Sequence, residues 1–241
     1  MRLAHRLAGA VLAAGVALLA RAAFADCPQS TFLYGGFDPA NPIPKVAPRC
    51  DTMFSVHACD GVHGRFDVPA GLLIASVDFA CNETQFGAAP SGLETVVEDD
   101  FRLAGVPPGT PVSFTVLLHL TGEGHNFSEP GGPGGARVRA TVLEGASNGA
   151  TFQRSTSTGS TAPFFVDEAL SLPVSATSGT PFHLRLAVRA ESFDGRAQLD
   201  GRLEFAGMPP GVSVGSCRGY LSAAPVSARN SSWGRLKASY R

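Results

Sequence analysis

The sequence has few of the aromatic residues that commonly stack on sugar faces. Its one tryptophan is Trp233, and its three tyrosines are Tyr34, Tyr220 and Tyr240. This shortage counts against a carbohydrate-binding module. Residues that favour helices, such as Lys, Gln and Met, are also scarce, whereas the chain contains 28 glycines and 18 prolines. This composition is typical of many short strands joined by tight turns.

Several arrangements of chemically active residues are missing as well. No His-x-His pair occurs, and neither His nor Met follows Cys217, which argues against two common copper folds. His119 and His125 lie near Ser113 and Ser128 in sequence, but a catalytic triad is a spatial arrangement. A pair of catalytic carboxylates cannot be selected from 20 acidic residues. We therefore predict no catalytic residue and no cofactor.

The first residues have the three parts of a secretory signal peptide. Arg2 and Arg6 precede an apolar run from Leu7 to Ala20, and Ala23-Phe24-Ala25 fits a signal-peptidase site. The run is shorter than the roughly 18–20 residues that span a bilayer. We expect cleavage after Ala25, a secreted, periplasmic or cell-surface location, and no transmembrane segment in the remaining chain.

The expected mature chain is mildly acidic. Removing residues 1–25 takes away three arginines and no acidic residue, which leaves 16 basic and 20 acidic side chains. A negative body repels the phosphate backbone of nucleic acids, so we predict no nucleic-acid partner.

Alternating apolar residues predict strands along most of the chain. Phe182, Leu184, Leu186 and Val188 alternate with polar residues, which places them on one buried face. Strong candidates are 73–79, 112–120, 138–142, 182–191 and 198–205, and weaker ones are 93–103, 151–158, 164–175 and 212–217. Pro108-Gly109 and Pro210-Gly211 have the residues of type II turns. We predict one all-β domain, an antiparallel β-sandwich of the jelly-roll or Ig-like kind with eight to nine strands.

Four segments follow from these patterns. Residues 1–25 are the signal peptide, and 26–66, rich in Cys, Pro and Gly, are predicted to be an irregular N-terminal arm. Residues 67–221 are the predicted β-sandwich domain. Residues 222–241 contain no acidic residue and are predicted to be a basic, flexible tail.

Five cysteines remain after cleavage, and export favours their pairing in disulfides. They are Cys27, Cys50, Cys59, Cys81 and Cys217. Two bridges and one free thiol can be arranged in fifteen ways. We expect one local bridge among the first three and a long-range bridge from Cys81 to Cys217.

Two metal sites are considered and not adopted. Cys50, His57, Cys59 and His63 have ligand types that bind zinc, but their spacing matches no common zinc finger. Glu98, Asp99 and Asp100 could supply oxygens to calcium, yet no Asp-x-Asp-x-Asp-Gly pattern accompanies them. Paired cysteines, surface histidines and a solvated acidic run are the simpler interpretations.

Residues 93–217 resemble uncharacterised secreted β-sandwich proteins of bacteria, many of which carry a PEP-CTERM anchor. The shared phrases are "VVEDDFRLAG" (96–105), "GTPVSFTVLLHLTGEG" (109–124), "GTPFHLRLAV" (179–188) and "GRLEFAGMPPGVSVGSCRG" (201–219). The terminus "SWGRLKASYR" departs from the Pro-Glu-Pro, apolar span and basic end of that anchor. The resemblance implies a cell-surface or extracellular sandwich with no established activity.

These observations favour an exported, non-enzymatic β-sandwich that acts as a structural or adhesion module, with an unidentified cell-surface or glycan partner. One alternative is a carbohydrate-binding module. A second is a secreted hydrolase whose catalytic residues the sequence does not identify.

Overall fold

The structure of the protein is a computed structural model. It describes residues 31–36, 43–46, 53–58, 62–78, 91–128, 130, 134–146, 148–156 and 160–222. Over these residues the chain forms strands and turns without a helix, which confirms the predicted all-β class. None of the described residues therefore forms a helix that could cross a membrane.

Thirteen strands are present in the described residues, and every pairing between them is antiparallel. They are β1 (Thr31–Gly36), β2 (Ile43–Val46), β3 (Met53–Ala58), β4 (Val62–Asp67), β5 (Leu72–Val77), β6 (Ser91–Ala104), β7 (Pro111–Asn126), β8 (Gly135–Glu144), β9 (Asn148–Ser155), β10 (Phe164–Thr177), β11 (Phe182–Phe193), β12 (Gly195–Ala206) and β13 (Ser213–Ser216).

The strands form two sheets that pack face to face. Sheet 1 has the order β2-β1-β6-β11-β8-β9, with β13 also paired to β6, and sheet 2 has the order β10-β7-β12-β5-β4-β3. Strands β4 to β13 contribute five strands to each sheet. Inward side chains of β6 and β11 pack against those of β5 and β12 in one apolar core. The sandwich-like arrangement of two antiparallel sheets is thus confirmed.

All nine strands predicted from the sequence are present, as β5 to β13. Strand β4 is additional, so the predicted count of eight to nine was too low. Its inward residues are Val62, Gly64 and Phe66, and the central glycine interrupts the apolar alternation that would have revealed it. β4 also begins before residue 67, the predicted start of the sandwich.

The other predicted segments are described only in part. Strands β1 to β3 lie within 26–66, the predicted arm, and the remainder of that segment before Val62 lies outside the described residues. The signal peptide 1–25 lies outside them entirely, and the tail 222–241 does so beyond Ser222. The assignments of these segments stay predictions.

Strand pairing aligns the inward residues in rows across each sheet. Leu186 of β11 lies opposite Val97 of β6 on one side and Val142 of β8 on the other. All three side chains are buried. Because successive residues of a strand face opposite sides, this register places the alternating polar residues on the outer face.

Five aromatic side chains fill one end of the core. Phe101 lies 5.7 Å from Phe182, 5.5 Å from Phe205 and 6.0 Å from Tyr220, measured between ring centroids, and Phe114 lies 5.5 Å from Phe182. The rings are tilted, stacked or edge-on to one another, as aromatic pairs prefer. They contribute large apolar area where the two sheets meet.

The two Pro-Pro-Gly sequences form the turns that their residues predict. In 107–110 and 209–212, the amide of the last residue donates to the carbonyl of the first over 3.2 Å and 3.1 Å. Gly109 and Gly211, at the third position, have φ angles of 83° and 82°. A type II turn requires such a positive φ, which glycine adopts without steric cost.

Side chains of β9 bridge the outer edges of the two sheets. The Arg154 guanidinium donates to the Phe165 carbonyl of β10 over 2.6 Å, and the Asn148 amide donates to the Pro173 carbonyl over 3.1 Å. Arg154 also pairs with Glu168 at 3.5 Å. Pro173 has no N–H to offer, which suits its place on an edge strand. The unpaired edge of β10 is therefore partly occupied.

The Phe101→Ala substitution should remove the centre of the aromatic cluster. Phe101 is 1% exposed, so we expect the free energy of unfolding to fall by about 3–5 kcal/mol. Urea denaturation measures this, with Phe165→Ala as the matched control because Phe165 is 65% exposed. Equal losses in the two variants would contradict the assigned core.

Candidate functional site

The three acidic residues considered for calcium do not converge. Glu98 and Asp100 face outward from β6, where they pair with Arg185 at 3.2 Å and His183 at 3.0 Å. Asp99 faces inward and is fully buried. Neighbouring residues on a strand point to opposite faces, so these carboxylates have separate environments rather than one cation in common.

Asp99 is a carboxyl group inside the sandwich, surrounded by the segment that follows β13. It accepts hydrogen bonds from the Asp100 amide at 2.9 Å and the Arg218 amide at 3.4 Å, and the Cys217 sulfur lies 2.8 Å from Oδ1. Burial raises the pKa of Asp99 above its ordinary value, while a hydrogen bond from Ser216 and the Arg218 charge oppose that rise. The carboxyl joins β6 to the chain after β13.

The Ser-Cys-x-Gly sequence at 216–219 gives this junction its shape. The Ser216 hydroxyl oxygen accepts hydrogen bonds from the backbone amides of Arg218 at 3.3 Å and Tyr220 at 3.1 Å. Gly219 has a φ of 92°. The Arg218 side chain is 1% exposed and its guanidinium carbon lies 6.0 Å from the centre of the Phe66 ring. This motif therefore closes one end of the sandwich.

Sequence reasoning missed this buried polar junction. It treated Asp99 as part of a solvated run, although Leu93, Val97 and Phe101 share its strand face and are buried. The alternation in 93–103 was the signal that would have placed Asp99 inside. No comparable signal marks Arg218, since it follows the last strand.

The residues considered for zinc are described only in part. His57 of β3 and His63 of β4 are register partners in sheet 2. Cys50 and Cys59 lie outside the described residues. Among the residues that the structure describes, no three His, Cys, Asp or Glu residues form a group that could hold a metal ion.

The disulfide candidates are similarly split. Cys217 is described, whereas Cys27, Cys50, Cys59 and Cys81 all lie outside the described residues. Their connectivity stays a prediction.

Cross-strand ion pairs occupy the outer face of sheet 2. His119 of β7 pairs with Glu204 of β12 at 3.0 Å, and Arg196 of β12 pairs with Glu123 of β7 at 2.8 Å. All four side chains are more than a third exposed. Exposed pairs of this kind contribute little to stability, so they chiefly define a polar surface of balanced charge.

Asp200 of β12 lies on the same outer face, between Arg196 and Glu204 along the strand. Burial raises the pKa of Asp200. Two groups oppose that rise: the Gln198 amide, which donates to Oδ1 of Asp200 over 3.1 Å, and the nearby His63. The group is half-buried on an open face. Its environment is that of a surface carboxyl group among hydrogen-bonding neighbours.

Two exposed phenylalanines occur at one end of this outer face. Phe127 is 47% exposed and Phe165 is 65% exposed; with Leu221 they are the exposed large apolar side chains of the described residues. Phe165 is the register partner of Glu123. His125 lies two residues after Glu123 on the same face of β7, and its ring centroid is 4.9 Å from that of Phe127. We call Phe127, Phe165, His125, Glu123 and Arg196 the phenylalanine patch.

A shallow groove lies at the opposite end, beside Tyr220 and Leu221. Its volume is about 430 Å³, and Arg202 and Glu204 form part of its lining. The Tyr220 hydroxyl donates to the Leu203 carbonyl over 3.3 Å. Burial, and secondarily Glu204, raises the pKa of Tyr220, so the hydroxyl keeps its proton and its structural hydrogen bond.

The chain contains a Gly-x-Ser-x-Gly sequence at 145–149, the form of a hydrolase nucleophile elbow. It joins β8 to β9, which pair as a hairpin with Glu144 opposite Asn148. A nucleophile elbow requires a strand followed by a helix, whereas here two strands flank the turn. Gly145 and Ala146 form part of the turn between these strands, and Ser147 lies outside the described residues.

Comparison with known proteins adds no assignment. Neither a scan of protein-family models nor a search of curated proteins finds a match to this chain. The resemblance to secreted bacterial sandwiches depends on the motifs quoted above.

The Asp99→Asn substitution should change how stability depends on pH. Because the folded pKa of Asp99 is raised, the native state binds its proton more tightly than the unfolded state. The free energy of unfolding should therefore fall as the pH rises from about 3.8 through the folded pKa, and Asp99→Asn should lack that fall.

Urea denaturation at a series of pH values measures this slope. Asp100→Asn is the matched control, since it removes a carboxylate from the outer face of the same strand and should keep the wild-type fall. An Asp99→Asn curve parallel to the wild type would contradict the buried position of Asp99.

Proposed function

We propose that the protein is an exported, non-enzymatic β-sandwich that acts through its surface, as a structural or adhesion module. The observation that supports this proposal is the pairing of acidic with basic side chains on the outer faces. Several acidic side chains on the two outer faces pair with a basic residue on the adjacent strand, as in His119–Glu204 and Arg185–Glu98. Such a surface suits contact with a partner more than acid–base catalysis.

Within the sandwich class, we propose a jelly-roll or Ig-like arrangement. Support comes from the order in which the chain visits the sheets. From β6 to β8 it passes from sheet 1 to sheet 2 and back, and from β9 to β13 every connection crosses between the sheets. Connections between sheets are a general property of Greek-key sandwiches.

Export and disulfide formation are part of the same proposal. The signal-like sequence 1–25 supports export, and an oxidising compartment would allow Cys217 to pair, with Cys81 as the expected partner.

We expect the exported protein to begin at Asp26. N-terminal sequencing of protein recovered from the periplasm, the cell surface or the medium tests this, because signal peptidase cleaves after the small-x-small site. Protein that stays in the cytoplasm with residues 1–25 attached would contradict export.

A surface module should bind its own cells without turning over substrate. We expect purified protein to rebind saturably to washed cells that lack its gene, and to leave chromogenic ester and glycoside substrates unchanged. Radiolabelled protein measures the binding, and absorbance measures the hydrolysis. Saturable turnover that survives repurification would favour the secreted hydrolase instead.

A further inference from the structure

The phenylalanine patch has features of a binding surface rather than of incidental exposure. A phenylalanine that is about half exposed or more leaves apolar area in water, which a fold would ordinarily bury. Here Phe165 of β10 and Phe127, which directly follows β7, are exposed at the same end of one sheet. Buried neighbouring residues fix the positions of both phenylalanines.

Buried polar groups fix the backbone on both sides of Phe127. Asn126 is 1% exposed; its amide donates to the Ser160 carbonyl over 3.0 Å, and its oxygen accepts the Ser128 hydroxyl over 2.7 Å. The Phe127 amide donates to the Asp194 carbonyl over 2.8 Å. With buried residues on either side, the backbone at Phe127 is held in place while about half of the side chain stays exposed, so a ligand can contact it at little entropic cost.

Phe165 is held in a similar way. Its carbonyl accepts a hydrogen bond from the Arg154 guanidinium. The inward-facing Phe164 packs over Gly124, where a Cβ atom would overlap the Phe164 ring. Because Phe164 occupies the core side, Phe165 must lie on the outer face. The close approach also explains why position 124 has no side chain.

Hydrogen-bonding groups lie between the two phenylalanines. Glu123, opposite Phe165, pairs with Arg196, and Arg196 lies opposite His125, whose ring contacts Phe127. The formal charges of Glu123 and Arg196 cancel. Asp167 is exposed on the same face of β10 as Phe165, so the patch has no excess positive charge and does not select a polyanion or an anionic membrane.

We propose that the phenylalanine patch is a subsite for a neutral polysaccharide. The C–H groups of a pyranose face pack against the electron-rich faces of Phe127 and Phe165, and its hydroxyls bond to Glu123, Arg196 and His125. Two phenylalanines and one histidine expose far less apolar area than a stable protein interface requires. This inference rests on the proposed surface function and names the ligand class of that function.

Depletion of the purified protein by insoluble cellulose, chitin and starch granules tests the proposal. We expect binding to one of them, competed by the matching soluble hexasaccharide. Phe127→Ala and Phe165→Ala should each weaken it about fivefold, since one aromatic contact is lost. The double variant should bind at background level. Leu221→Ala, which also removes an exposed apolar side chain, should bind like the wild type.

Three results would overturn the proposal: no depletion by any of the three polysaccharides, binding that the hexasaccharide does not compete, or binding that survives the double substitution. Sedimentation shows whether the patch joins two copies of the chain instead. A dimer that Phe165→Ala abolishes, in a protein that binds no polysaccharide, would also overturn the proposal. Rebinding to washed cells in the absence of polysaccharide binding would leave the proposed surface function standing while this subsite fails.

Discussion

Burial of every second side chain between two facing sheets is the interaction that this structure depends on. In each sheet the inward residues form rows such as Val97, Leu186 and Val142, and the opposite sheet covers them. A slip of one residue in any strand would place its polar side chains in the core. The turns, the charge pairs and the exposed phenylalanines all have defined positions because that register is fixed.

Alternation in the sequence was enough to identify β11 and β12, because one face of each strand is apolar along its length. It identified the type II turns for a separate reason, which is that Pro followed by Gly restricts φ locally. Alternation gives the face of a residue but not its partner in space. The pairing of β6 with β11, about 90 residues later, could therefore not be read from the sequence.

The same limit explains what was missed at the candidate site. Phe127 and Phe165 belong to segments that contain other phenylalanines or polar residues, and nothing in the composition distinguishes an exposed ring from a buried one. Their exposure depends on Asn126 and Phe164, which occupy the interior beside them. The interior position of Asp99 was, by contrast, accessible from its alternation with Val97 and Phe101.

The bridges from β9 to β10 have a consequence for copies of the protein that are held close together. A strand from a neighbouring molecule that approached β10 would find the carbonyls of Phe165 and Pro173 already engaged, with no amide hydrogen at Pro173. Many copies could then crowd into a layer without fusing into a continuous fibre.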